Sequence, residues 1–140
     1  MDHAATMRRF YDFANDHDVE GFASLISDDL VEHAEPPPGI PQTKEGVKQF
    51  FTMYFAAFPD LRMDAEDVLV SGDKGVARVR ITGTNTGDFM GMPATGKTID
   101  IEAIDIVRFD DEGLGVEHWG TTDTMKMMQQ LGVVPEGAPA

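Results

Sequence analysis

Near the C-terminal end, His118, Trp119 and Asp123 bring an imidazole, a large aromatic ring and a carboxylate into one stretch, EHWGTTDTMKMMQQLG. An imidazole titrates near neutrality, and a carboxylate can take and return a proton once an apolar setting raises its pKa. The stretch reads as a strand end, a helix start at Asp123 and a Met-rich amphipathic helix. Clefts form at such junctions, so the chemistry expected here is acid/base work on an apolar molecule.

Each residue also has a plainer reading. Asp123 can be the acid/base group or only the N-cap of the last helix, and the two pull in opposite directions because capping stabilises the anion. His118 can orient the aspartate, bind a substrate carbonyl or fill a polar gap in the sheet. Trp119 alternates with His118, so the two point to opposite faces of an unbroken strand, with His118 taken as the inward one. A bulge or the strand end can still turn Trp119 toward a ligand. His33, between a short strand and a proline-rich loop, is a candidate for a pocket rim. Phe10, Phe51, Tyr54, Phe55 and Met127 are core residues first and ligand lining second.

The elements that must position these groups follow from periodicity. Met7, Phe10, Tyr11 and Ala14 form the apolar stripe of a first helix, and Phe22, Ala23, Leu25 and Ile26 mark a short second one. A brief strand is expected near Leu30 to His33. EPPPGIP then breaks regular structure and leads to Thr43, an N-cap for an aromatic helix ending at Pro59. From Arg62 the chain reads in twos. Ala77, Val79 and Ile81 alternate with Arg78, Arg80 and Thr82, and Thr98 to Phe109 and Gly115 to Thr122 are further strands joined by the tight turn Asp110 to Gly113. Ile101, Ala103 and Val107 share one face of their strand while Ile104 and Ile106 share the other. Both faces should be covered, one by helices and the other by a loop or second subunit, so a homodimer or higher oligomer is expected. Helices first, then a curved antiparallel sheet and a closing helix, give an α+β fold over residues 1–134, with a flexible tail at 135–140.

DFMGMPATGK, the strand after it, the acidic turn and EHWGTTDTMKMMQQLG resemble the SnoaL-like polyketide cyclases of the NTF2-like superfamily, from the first helix to Gly132. The resemblance implies an α+β cone, its sheet bent around the N-terminal helices to enclose one deep apolar pocket. It also implies ring closure by intramolecular aldol condensation without metal or cofactor, with an aspartate at the position of Asp123 as acid/base. Isomerases, epoxide hydrolases and non-catalytic binding proteins are alternatives on the same fold. Arg108 and Asp105 do not share a strand face, which argues against an epoxide hydrolase built on that pair.

Other signals narrow the partners. GMPATGKT satisfies the phosphate-loop pattern, but a strand rather than a helix is expected to follow it, which removes the helix N-terminus that binds phosphate. The four histidines lack metal-ligand spacing, so no metal is expected. With 11 Lys plus Arg against 25 Asp plus Glu, the net charge of −14 disfavours nucleic acid and anionic membrane as partners. No stretch approaches the roughly 20 apolar residues a membrane span needs, nor is there a signal peptide's apolar run, so a cytoplasmic location is expected. The partner that fits is a small apolar or aromatic molecule.

Overall fold

The alternation of apolar and polar side chains makes β3 (Lys74–Thr84) in the computed structural model, which describes residues 2–134. Ala77, Val79 and Ile81 are buried on its inner face, while Arg78 and Arg80 on the outer face pair with Glu102 and Asp100 of the next strand. β3 lies antiparallel to β2 (Arg62–Ser71) and β4 (Thr98–Phe109), and β4 to β5 (Gly115–Thr122). With β1 (Ile26–Glu32) they form a curved, open sheet in the order β1-β5-β4-β3-β2. β1 runs parallel to β5, the one departure from the antiparallel pattern read from the turns. Turn residues report only which sequence neighbours form hairpins, and β1 meets β5 through the fold instead.

Four helices complete the described residues: α1 (His3–Asn15), α2 (Val19–Ala23), α3 (Lys44–Ala57) and α4 (Thr124–Gln130). A short polar side chain caps each start, Asp2, Asp18, Thr43 and Asp123 in turn, satisfying a backbone N–H of the first turn. α2 is shorter than its apolar spacing suggests. Leu25 and Ile26 are buried, but Ile26 already opens β1, which therefore begins four residues earlier than the Leu30 to His33 strand expected. A short apolar run does not distinguish helix from strand.

The core lies between α1 and α3 and the inner sheet face. Met7, Phe10, Tyr11 and Ala14 of α1 are buried, as are Ile99, Ile101, Ala103 and Val107 of β4. Segment 85–97, with its phosphate-loop pattern, is a loop between β3 and β4, and Thr98 starts a strand. The buried Asn85 ties it down: its amide donates to the Ala57 and Gly87 carbonyls and its oxygen accepts from Thr95 N–H and Oγ1. On the outer sheet face Leu69, Val76, Ile106 and Trp119 stand in register across four strands, with Ile104 beside them 37% exposed. The tail expected at 135–140 lies outside the described residues.

Candidate functional site

A cavity of about 630 Å³, of the size that holds a drug-like molecule, opens between the inner sheet face and α1, α3 and α4. Its walls are mostly apolar, with Phe10, Phe22, Phe50, Phe51 and Tyr54 on one side and Met127 on the other. The Tyr54 phenol is pushed up by burial and stays protonated. Pro36 to Pro38 and Met90 also line it. The titratable side chains lining it besides Tyr54 are Tyr11, Glu32, Glu35, Asp105 and His118; no lysine or arginine does so among the described residues.

Four of these groups form one hydrogen-bonded chain on the cavity wall. His118 Nδ1 is 2.6 Å from Glu32 Oε1, and its Nε2 is 2.9 Å from Asp105 Oδ1. The Tyr11 hydroxyl donates to Asp105 Oδ2 at 2.8 Å. Burial alone would depress the imidazolium, but hydrogen bonds and charge from Asp105 and Glu32 outweigh it and push the His118 pKa up to about 10. A protonated ring donates from both nitrogens, which fits an acceptor on each side. Burial, then the Asp105 charge and hydrogen bond, raise the Tyr11 phenol well above its ordinary value. At neutral pH the chain thus has an imidazolium at His118, between Glu32 and Asp105, and a neutral phenol at Tyr11. The fold assembles it by register, since Glu32 of β1 pairs with His118 of β5, and Asp105 lies on β4 next to it.

The cavity takes in five of the sequence candidates, His118, Phe10, Phe51, Tyr54 and Met127, and leaves out four. Asp123 is exposed and accepts from the Lys126 N–H at 3.1 Å, which is its capping role; its neighbours Thr122 and Thr124 line the cavity, but its own side chain does not. Trp119 falls on the outer face, as alternation with His118 requires, and no bulge at its position turns it inward. His33 stacks on Trp119 with ring centroids 4.9 Å apart and sits 2.6 Å from Glu117, outside the cavity. Phe55 stacks on His17 and packs against the core. Arg108 also points outward, donating to Glu117, so it cannot pair with Asp105.

Sequence reasoning passed over Tyr11, Glu32 and Asp105. Asp105 carried a signal: it interrupts the inward row Ile101, Ala103, Val107, and a carboxylate on a buried strand face is either paired or functional. Tyr11 stood in the apolar stripe of α1, where a phenol needs a partner. Glu32 had no local signal, because its approach to His118 depends on the parallel pairing of β1 with β5. Among the described residues no group of three or more His, Asp or Glu could hold a metal ion. Nor, among the described residues, is any helix long and apolar enough to cross a membrane.

The sequence profile of the SnoaL-like polyketide cyclases matches residues 4–131. Among solved structures, IdmH of Streptomyces antibioticus, a proposed polyketide cyclase, is 33% identical with a TM-score of 0.80, over 94% of this chain and 99% of that one. A proposed polyketide cyclase of Bacillus cereus is 32% identical with a TM-score of 0.80, over 94% of this chain and 81% of that one. AclR of Streptomyces galilaeus, a proposed hydroxylase, is 27% identical with a TM-score of 0.84, over 96% and 83%. No match was found among curated proteins.

Proposed function

The chain belongs to the SnoaL-like polyketide cyclase family, and from that premise we propose that it closes a ring in a small, uncharged, largely apolar carbonyl compound by intramolecular aldol condensation. The observation that carries this reading is the Glu32–His118–Asp105–Tyr11 chain on the wall of an apolar cavity. Asp105 is the acid/base residue in it, the role the sequence reading gave to Asp123.

The chemistry requires a carboxylate to take a proton from a carbon flanked by carbonyls, leaving an enolate. The enolate carbon then bonds to a second carbonyl carbon, whose oxygen takes up a proton as its π bond breaks. Asp105 removes the first proton and returns it to the new alkoxide, so the residue ends as it began. The imidazolium of His118 holds Asp105 in place and supplies positive charge beside the developing oxyanion, while Glu32 fixes the ring from the other side. The cavity's own carboxylates and its lack of lysine or arginine disfavour a substrate carboxylate, hence the uncharged substrate.

The test is Asp105→Asn against flat aromatic esters bearing a 1,3-dicarbonyl side chain, with melting temperature, ligand affinity and ring-closure rate measured on one preparation. Rate should fall by about a hundred- to ten-thousand-fold with affinity retained. Unchanged rate defeats the assignment, and binding without turnover in the wild type makes this a binding protein.

We also propose that the outer row Leu69, Val76, Ile106 and Trp119 is covered by a second copy, because the exposed Leu69 and Ile104 and the half-buried Val76, Ile106 and Trp119 form a patch rather than isolated contacts. Light scattering on the wild type should report a dimer or larger, and Ile106→Asp a monomer; a monomeric wild type at micromolar concentration rejects this.

A further inference from the structure

Gly120 is mid-strand in β5 with no backbone reason to be glycine. The positive-φ glycines are Gly39, Gly72, Gly91, Gly96, Gly113 and Gly132, and Gly120 is not among them. Glycine inside a strand weakens it and marks places where something must approach closely. Here a Cβ would stand 2.9 Å from His118 Cε1, 3.1 Å from His118 Nε2 and 3.0 Å from Asp105 Oδ1. Those last two atoms are the partners of the His118–Asp105 hydrogen bond.

We propose that Gly120 is a positioning residue, whose missing side chain lets the His118 ring lean along β5 and bridge Glu32 to Asp105. Register makes this necessary. Asp105 stands directly across from Gly120, whereas His118 stands across from Val107, so His118 reaches Asp105 only diagonally, over Gly120. The ring cannot simply swing aside, because Glu32 holds its Nδ1 at 2.6 Å. A methyl group at position 120 therefore separates Nε2 from Oδ1. The inference rests on reading Asp105 and His118 as the reacting pair, and implies that Gly120→Ala lowers kcat far more than it raises KM, since the apolar walls are untouched.

The decisive readout is the His118 imidazole titration, followed by NMR. Glu32 from β1, Asp105 from β4 and Tyr11 from α1 bond directly within this chain, and Glu35 from the loop after β1 lines the same cavity. In Gly120→Ala the midpoint should fall by about one to two pH units, the size of one lost charge-assisted hydrogen bond. A folded variant with an unchanged midpoint overturns the proposal. If Gly120→Ala does not fold, the pair His118→Ala and His118→Ala/Gly120→Ala decides: with the ring gone, the added methyl should cost nothing further in melting temperature. A clear additional loss means that the strand itself needs glycine, and the proposal falls. Neither measurement uses turnover, so a correct result here stands even if the proposed reaction proves wrong.

Discussion

Two histidines at one edge of the sheet each sit 2.6 Å from a glutamate, His118 from Glu32 on the inner face and His33 from Glu117 on the outer. The contacts match in length, yet the settings differ. The His118 side chain is 24% exposed and that of Glu32 10%, and the ring has a second carboxylate in Asp105. The His33 side chain is 41% exposed, and its glutamate is shared with Arg108. Exposed pairs are screened and contribute little, whereas the same distance in a lower dielectric binds strongly and costs more when broken. A short histidine–carboxylate contact is therefore no mark of a reactive site unless water is largely kept from it.

The largest expected contrast is in rate. Asp105→Asn should lose about a hundred- to ten-thousand-fold, while Glu117→Gln on the outer face leaves ring closure unchanged. Equal losses in the two variants would erase the distinction between the faces. Next in size is stability measured by urea denaturation. Asp105→Ala leaves a largely buried imidazolium with one partner and the Tyr11 hydroxyl with none, and should cost about 3 kcal/mol, against no more than about 1 kcal/mol for His33→Ala.

Titration sharpens the contrast further. His118 is raised from its ordinary 6.5 to about 10 in the folded protein. Its stabilising contribution is therefore complete below about pH 6.5, and it is lost as pH rises through about 10, where the unfolded chain has released a proton that the folded one keeps. Relative to His118→Gln, the wild type should lose up to about 1.4 kcal/mol of stability per pH unit across that window. A flat difference across it would mean that the ring is neutral. The smallest effect belongs to Asp123→Ala, which should cost about 1 kcal/mol through the lost cap, with the catalytic rate retained.

Strand alternation carried most of the fold. It fixed β4 and β5 to the residue, found the middle of β3 and set His118 and Trp119 on opposite faces, because a period of two depends only on neighbouring residues. It also placed Asp105 inward, with Ile101, Ala103 and Val107, where it lines the cavity. An aspartate at a helix start looks the same in sequence whether it serves the backbone or a substrate. Glu32 could not have been found in this way. Its partner is on a strand that becomes adjacent only after the sheet is ordered, and no turn residue records a parallel pairing of distant strands.

The two contacts that bring β1 and α1 to the site span most of the chain. His118 and Glu32 are separated by 86 positions, and Tyr11 and Asp105 by 94. Contacts of such high sequence separation carry the loop-closure entropy that slows folding, and they form only when both ends of the chain have been made and brought together. A chain ending before β5 lacks His118, and with it the ring that joins Glu32 to Asp105. The Glu32–His118–Asp105–Tyr11 chain is thus a product of completed folding and not of any one local segment.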